Sequence, residues 1–98
     1  MKAKQLVGNR VVVARDAFAE TVVWLLPQAL AGSKHHFKYR LAYVVAGVCV
    51  LRYDNEAGKG DHRHTGEQED NYAFTTPDKL LADFFNDIQR WNHEHHHD

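Results

Sequence analysis

Residues 37–56 read FKYRLAYVVAGVCVLRYDNE and hold two apolar runs that are separated by the pair Ala46-Gly47. In the first run, Lys38 and Arg40 alternate with aromatic and aliphatic residues, which is the two-residue period of a half-buried β-strand. The second run is equally apolar until it reaches a polar end. The pattern predicts an antiparallel β-hairpin with a tight turn at Ala46-Gly47.

The register of this hairpin follows from the length of its turn. A two-residue turn pairs Val45 with Val48, and every other pair is then found by counting outward. The predicted pairs are Leu41 with Arg52, Arg40 with Tyr53, and Tyr39 with Asp54. The end of the hairpin far from the turn is therefore expected to be both polar and aromatic.

Three other segments have strand-like patterns. Residues 4–14 and 18–26 are rich in valine and other strand formers, and Pro27 ends the second segment because proline cannot donate a hydrogen bond to a sheet. Residues 28–34 are interpreted as a loop. Residues 72–74, Tyr-Ala-Phe, follow a polar stretch and are interpreted as a further short strand.

The C-terminal part of the chain predicts one helix over residues 77–92. Thr76 is a suitable N-cap, Pro77 suits the first turn, and the helix dipole favours Asp78 near its positive end. Apolar residues recur at helical spacing along this segment. They are Leu80, Leu81, Phe84, Phe85, Ile88 and Trp91. Such a stripe is typical of a helix that packs on a sheet.

Together these elements predict an α+β fold. We expect an antiparallel, meander-like sheet of four to five strands with the C-terminal amphipathic helix packed on one face. Residues 1–92 would form a single α+β domain, because 98 residues suffice for one modest core. Residues 93–98, which include four histidines, would form a flexible tail.

Composition limits the class of protein. Apolar residues make up 44% of the chain and charged residues 26%, as in ordinary soluble domains. The longest apolar run, residues 41–51, is shorter than the roughly 20 residues that span a bilayer, so no membrane association is expected. The single cysteine, Cys49, has no partner within the chain, which favours a reducing, cytoplasmic location.

Charge is distributed unevenly along the chain. Residues 1–64 contain ten Lys or Arg against five Asp or Glu, whereas residues 65–98 contain two against eight. A basic half of this kind can form a nucleic-acid surface. Alternatively, the acidic C-terminal helix balances or docks on a basic sheet, and both readings stay open.

Residues 52–64, RYDNEAGKGDHRH, carry the candidate chemistry. They are interpreted as a surface loop, because such polar side chains lose hydration when they are buried unpaired. His62 and His64 suit the roles of general acid and general base, since imidazole titrates near neutral pH. Arg63 can bind a phosphate through two parallel hydrogen bonds, and Lys59, which lies between two glycines, can approach a phosphate closely.

Two carboxylates complete this hypothetical catalytic site, with Asp54 or Asp61 orienting a histidine. The chemistry would be RNA cleavage without a metal, in which a base takes the 2′-hydroxyl proton and an acid protonates the leaving 5′-oxygen. The competing interpretation is structural. In that case, the histidines bond to loop carbonyls, and Arg63 pairs with Asp54 or Asp61.

Further candidates for substrate binding lie on the hairpin. Arg52 and Tyr53 lie at its polar end, next to the predicted loop. Lys38 and Arg40 add a basic strand face that could serve as a nucleic-acid groove. Because aromatic residues alternate with these cations, the two sets should face opposite sides of the sheet, and a merely solvated basic face is the alternative.

A metal site is another alternative. His62 and His64 would point the same way in an extended segment, and Asp61 could add an oxygen ligand. The sequence offers no second cluster except the histidines of residues 93–98. No metal ligands are therefore assigned, and no cofactor is expected.

Three segments resemble the TumE family, which is assigned as the toxin component of bacterial toxin–antitoxin modules. They are Phe37–Val44, Val50–Glu56 and Gly58–His64, and Tyr-Asp-Asn followed by Gly-Asp-His-Arg-His is the most specific part. The similarity runs from about Lys4 to Trp91. It implies a cognate antitoxin as partner, typically a small helix-turn-helix DNA-binding protein, and it does not define a biochemical activity.

The leading hypothesis is therefore a toxin that acts as a small, metal-independent ribonuclease, with RNA as a further partner. One alternative is a non-enzymatic binding module that docks an acidic partner or nucleic acid, and another is a metal-dependent nuclease. The apolar stretch Val11–Val13 would lie on an edge strand, which makes a sheet-extended homodimer a further expectation.

Overall fold

The computed structural model describes residues 2–95, which form one antiparallel sheet followed by one helix. The strands are β1 Lys4–Ala14, β2 Ala17–Leu25, β3 Phe37–Val45, β4 Val48–Glu56, β5 Gly60–Thr65 and β6 Gln68–Asn71, and the helix is α1 Pro77–Glu94. Neighbouring strands in the chain are also neighbours in the sheet, in the order β1 to β6. The α+β class and the antiparallel meander are thus confirmed.

The predicted number of strands, four to five, is wrong, because the sheet has six. The short strand expected at residues 72–74 does not form, and β6 lies in the polar stretch just before it, at Gln68–Asn71. A turn at Gly66, whose φ is 61°, joins β5 to β6. Polar side chains occupy both faces of these two strands, so hydrophobic alternation could not reveal them.

The central hairpin has the predicted turn but not the predicted register. Ala46 and Gly47 both adopt positive φ, as a tight two-residue hairpin turn requires, and Val45 pairs with Val48. A bulge in β4 near Val50 then shifts the register by one residue. The observed pairs are Ala42 with Arg52, Leu41 with Tyr53, and Arg40 with Asp54.

The bulge decides which side of β4 enters the core. Without it, Arg52 would lie opposite the fully buried Leu41 and face the apolar side of the sheet. With it, Tyr53 takes that position and is completely buried, whereas Arg52 turns to the opposite face. A one-residue shift in register reverses the face of every side chain beyond it.

Helix α1 lies against β3 and β4 on one face of the sheet. Thr76 accepts a hydrogen bond from the Lys79 amide at 3.1 Å, and Pro77 opens the helix, as predicted. Phe84 is fully buried, and its ring lies 5.7 Å from that of Tyr53. The helix ends at Glu94, which is two residues later than predicted, and residues 96–98 of the expected tail lie outside the described residues.

The two faces of the sheet therefore differ. We call the side that packs on α1 the covered face and the opposite side the open face. Cross-strand pairing places a continuous row of side chains on the open face. This row contains Trp24, Lys38, Arg40, Arg52, Asp54, His62 and His64. No helix within residues 2–95 is long and apolar enough to cross a membrane.

A polar contact links α1 to the segment after β6. The Tyr72 hydroxyl donates to Asp83 at 2.6 Å, and the Lys79 ammonium lies 2.8 Å from the same carboxylate. The hydrogen bonds from Lys79 and Tyr72 lower the pKa of Asp83 below its usual value of 3.8. Since this pKa is depressed in the folded state, the ionised carboxylate stabilises the fold above pH 3.8.

We expect Asp83→Asn to lower the free energy of unfolding at pH 7 by about 0.5–1 kcal/mol, because the charge-assisted bonds weaken. The difference from the unsubstituted protein should shrink as the pH falls below 3.8, where Asp83 itself becomes protonated. Urea unfolding of both proteins between pH 7 and pH 3 measures this. A difference that is independent of pH would contradict the role of the charge.

Candidate functional site

The candidate catalytic residues lie on a strand and not on a loop, so the loop interpretation of residues 60–64 is wrong. The chain turns at residues 57–59, and β5 begins at Gly60 and pairs with β4. Side chains alternate along a strand, so neighbouring residues point to opposite faces. His62 and His64 lie on the open face, whereas Asp61 and Arg63 lie on the covered face.

A single carboxylate lies between the two histidines. Glu69 of β6 pairs with His64 across the strands. One oxygen of Glu69 is 3.1 Å from His62 Nδ1, and the other is 3.6 Å from His64 Nδ1. The side chains of His62 and His64 are 18% and 22% exposed, so both rings are partly desolvated, and Nδ1 of His62 is itself buried and makes no hydrogen bond within residues 2–95.

The second nitrogen of each ring has a different kind of neighbour. His62 Nε2 lies 2.5 Å from the carbonyl oxygen of Lys59, which can only accept a hydrogen bond. His64 Nε2 lies 3.2 Å from Nη2 of Arg52, which can only donate one. Asp54 completes this cluster, with its carboxylate 3.2 Å from Arg52 Nε and 3.7 Å from His64 Nε2.

These side chains surround a small hollow of about 120 Å³, which we call the histidine pocket. It is lined by Arg52, Asp54, Glu56, Lys59, His62, His64 and Glu69. Lys59 is exposed and lies 3.3 Å from Glu56 at the rim. The pocket thus brings together imidazole, guanidinium and carboxylate groups at the open face.

Arg63 does not join this cluster. Its guanidinium lies on the covered face, 3.6 Å from Asp87 of α1 and 3.9 Å from Asp70 of β6. The contact with Tyr53 raises the pKa of Arg63, which therefore stays a cation. The structural interpretation of Arg63 predicted an ion pair with Asp54 or Asp61. Arg63 does form ion pairs, but its partners are Asp87 and Asp70.

Asp61 is also separated from the histidine pocket. Its carboxylate accepts hydrogen bonds from the Tyr39 hydroxyl at 2.7 Å and faces His35 Nε2 at 2.8 Å. Burial raises the pKa of Tyr39, and the hydrogen bond to Asp61 raises it further. Of the two carboxylates expected to orient a catalytic histidine, only Asp54 is near one.

Tyr53 does not fit the predicted role in substrate binding. It is completely buried beneath α1, and its hydroxyl donates to Asp87. Burial raises the pKa of Tyr53, and the bond to Asp87 raises it further. The register shift at the β4 bulge explains the error, because it turns Tyr53 toward the core and Arg52 toward the open face.

Lys38 and Arg40 lie on the open face, and the alternating aromatic residues Phe37 and Tyr39 lie on the other, as predicted. Beside the two cations is a hollow of about 380 Å³, which we call the tryptophan pocket. It is lined by Val22, Trp24, Lys38, Tyr39, Arg40, Arg52, Asp54 and Glu56. The two pockets share Arg52, Asp54 and Glu56, so they are neighbours on one surface.

Sequence reasoning missed Glu69 and Trp24. Glu69 lay in a stretch with no hydrophobic alternation, but a two-residue turn after Thr65 would have paired it with His64 by counting outward. Trp24 was counted only as a strand former, because the partner strand that creates a pocket beside it is distant in sequence.

The alternative metal site is incomplete, because one of its three expected ligands lies on the opposite face of the sheet. His62 and His64 do share a face, but Asp61 points away from them toward His35. In the part of the chain that the structure describes, no group of three or more His, Cys, Asp or Glu side chains is arranged to hold a metal ion.

The comparison with known families gives one match. A family model described as Toxin TumE matches residues 3–92, which is nearly the whole chain. No curated protein and no solved structure is significantly similar to the chain.

Proposed function

Since the chain belongs to the TumE toxin family, we propose that it is the toxin of a bacterial toxin–antitoxin module and acts in the cytoplasm as a small ribonuclease that needs no metal. The single observation that carries the ribonuclease proposal is the pair of half-buried imidazoles bridged by Glu69 in an open-face pocket. The arrangement supplies an acid and a base beside a guanidinium that can bind phosphate.

His64 is the proposed general base. Arg52 donates toward its Nε2, so this nitrogen carries a lone pair and not a proton, while Glu69 faces the opposite nitrogen. Once the Arg52 Nη2 group has turned from this nitrogen to the bound phosphate, the lone pair at Nε2 can accept the proton of a ribose 2′-hydroxyl. The 2′-oxygen then attacks the neighbouring phosphorus.

His62 is the proposed general acid. Its two nitrogens face the Lys59 carbonyl and the Glu69 carboxylate, which are both acceptors, so the doubly protonated ring suits this position. As its Nε2–H turns from the exposed Lys59 carbonyl to the substrate, His62 would give this proton to the 5′-oxygen while the phosphorus–oxygen bond breaks. The products are a 2′,3′-cyclic phosphate and a free 5′-hydroxyl, and the two histidines end with exchanged protonation states.

Arg52 is the proposed phosphate-binding residue, with Lys59 at the rim as a second cation. Asp54 lies 3.2 Å from Arg52 Nε and holds the guanidinium in place beside His64. A fixed cation stabilises the charge that develops on the phosphate oxygens during cleavage. The direct test incubates the purified protein with single-stranded RNA in excess EDTA and analyses the ends, which should be 2′,3′-cyclic phosphates. Absence of cleavage would refute the proposal.

Two arginines on opposite faces of the sheet provide a matched comparison. We expect Arg52→Gln to lower the cleavage rate about 100-fold, because a phosphate-binding cation is lost, and to lower the melting temperature less than Arg63→Gln does. Arg63→Gln should lower the melting temperature and leave the cleavage rate largely unchanged, because its ion pairs are structural. The opposite pattern in the two variants would show that the site is on the covered face.

A non-enzymatic binding module is the second candidate, and one observation favours it. Arg40 is exposed beside the tryptophan pocket and, within residues 2–95, makes no ion pair. A free guanidinium on an open face is available for an acidic partner or for nucleic acid. In this case, growth arrest should depend on Lys38 and Arg40 and not on the histidines.

The partner proposed from family membership is a cognate antitoxin, of the helix-turn-helix type. Strand β1 is the free edge of the sheet beside β2, and Val12 on it is 75% exposed. Residues 2–15 carry four cations and no acid, so an extended acidic segment of the antitoxin fits this edge better than a second copy of the basic strand does. Size-exclusion chromatography of the toxin alone would overturn this choice if it gave a dimer that the antitoxin does not dissociate.

A further inference from the structure

We propose that the tryptophan pocket is a nucleobase subsite that holds one base of single-stranded RNA beside the phosphate to be cleaved. This inference rests on the proposed function for the cleavage step, and it deepens that function by assigning a recognition site. It follows from the position of the pocket, its size and the chemistry of its walls.

The position of the pocket suits the nucleotide next to the reacting phosphate. Arg52, Asp54 and Glu56 line both this pocket and the histidine pocket. A phosphate bound by Arg52 would therefore have the imidazoles on one side and the tryptophan pocket on the other. RNA that crosses the open face from β5 toward β2 would fill both.

The size and the apolar wall suit a base. The volume of about 380 Å³ falls in the range of roughly 300–1,000 Å³ that is typical of small-molecule sites. Trp24 and Val22 supply the apolar part of the wall. An indole ring offers a stacking surface for a nucleobase, and such stacking is how proteins commonly hold unpaired RNA.

The charged wall indicates which ligands fit. Lys38 and Arg40 attract an anion such as a phosphate, but Lys38 donates to the Asn55 carbonyl and is partly occupied. Asp54 and Glu56 also line the pocket and would repel a purely acidic peptide. A nucleotide matches both the cations and the carboxylates of this wall, because its phosphate is anionic while the edge of its base carries hydrogen-bond donors.

The carboxylates also favour one base. Guanine has two adjacent N–H donors on its Watson–Crick edge, which match the two oxygens of one carboxylate. Glu56 is the better candidate for this contact, because its side chain is 55% exposed and its partner is the exposed Lys59 at the rim, whereas Asp54 is 17% exposed and lies between Arg52 and His64. Adenine and cytosine have one amino group beside a ring-nitrogen acceptor on that edge, and uracil has a single N3–H between two carbonyl oxygens, which a carboxylate repels. We therefore infer that guanine binds this pocket most tightly and uracil least tightly.

Binding can be measured independently of cleavage. The chain has two tryptophans, Trp24 and Trp91, so the Trp91→Phe protein with His62→Gln and His64→Gln reports on Trp24 alone and lacks the proposed acid and base. Titration with 5′-GMP should quench its fluorescence, and 5′-UMP should bind about 10-fold more weakly. Equal quenching by both nucleotides would overturn the base preference. No quenching at millimolar nucleotide, or stronger quenching by a poly-glutamate peptide, would overturn the subsite itself.

The same pocket predicts a kinetic effect. We expect Trp24→Leu to raise KM for a guanine-containing oligonucleotide about 10-fold, with kcat unchanged, because a stacking surface for the substrate base is lost. Phe18→Leu is the matched control, since Phe18 lies on the same strand and face but stacks on Arg10 outside the pocket. If Trp24→Leu does not fold, as judged by circular dichroism, Trp24→Phe should show a smaller rise in KM.

These two measurements separate the inference from the function beneath it. Nucleotide binding without any RNA cleavage would support the subsite and refute the ribonuclease proposal. Cleavage with a KM that does not change in folded Trp24→Leu or Trp24→Phe would support the ribonuclease and refute the subsite.

Discussion

Replacing His62 and His64 together by glutamine should abolish RNA cleavage and growth arrest and leave a folded protein. Each role in proton transfer contributes about 10²–10⁴ in rate, and glutamine can transfer no proton at neutral pH. Because an acid and a base that act in one step are not additive, we expect a loss of at least about 10⁴-fold for the pair. Cleavage of labelled RNA and growth after induction measure the two effects.

The double variant is expected to fold because the histidines do not hold the core together. They lie on the open face of β5, and glutamine can keep a hydrogen bond to the Lys59 carbonyl in place of His62. His36→Gln with His93→Gln is the matched control, since both of these histidines are exposed and lie away from the histidine pocket. That control protein should retain full activity.

The same assay distinguishes the alternatives. If the folded His62/His64 variant still arrests growth, the catalytic assignment is refuted. Loss of arrest in a Lys38→Gln, Arg40→Gln protein would then favour a binding module. If chelators remove the activity of the unsubstituted protein and one divalent ion restores it, the reaction depends on a metal, and the proposed metal-free mechanism is refuted.

The second large effect is expected from Asp87→Ala, which should lower the free energy of unfolding by about 3 kcal/mol. Asp87 is a buried carboxylate of α1 with a side chain only 9% exposed. It accepts the Tyr53 hydroxyl and lies 3.6 Å from Arg63 and 3.0 Å from Arg90. Its removal leaves the buried hydroxyl without its acceptor and the Arg63 guanidinium without its nearest carboxylate.

Chemical denaturation of the Asp87→Ala protein measures this loss. Asp78→Ala is the matched control on the same helix, because Asp78 is exposed and acts only through the helix dipole. Its effect should be several times smaller. An equal effect of the two substitutions would mean that Asp87 contributes only its helix-surface charge, and the structural role of Arg63 would lose its support.

The fold could be predicted best in the segments whose apolar and polar residues alternate clearly. In residues 37–56, alternation and a two-residue turn predicted the hairpin, and the pair Val45–Val48 is confirmed. The capping residues Thr76 and Pro77 similarly located the start of α1. In β5 and β6 the same rules failed, because strands with polar residues on both sides carry no period that distinguishes them from loops.

The candidate site shows the same limit at the level of single residues. His62 and His64 stood out by residue type, and they do share a pocket. Arg63 stood out equally, but strand alternation turned it to the covered face, where Asp87 binds it. The carboxylate that bridges the histidines, Glu69, comes from a strand that the sequence did not reveal.

The sequence by itself determined the fold class, the antiparallel meander, the central turn, the helix and the family, because these depend on local propensities and on patterns within one segment. The tertiary structure alone decided which of the polar residues meet. One bulge near Val50 set the register of β4 and turned Arg52 outward and Tyr53 inward. The register depends on whether a tyrosine or a guanidinium is buried against a helix that is distant in sequence. The local sequence pattern carries no information about that difference in the free energy of burial.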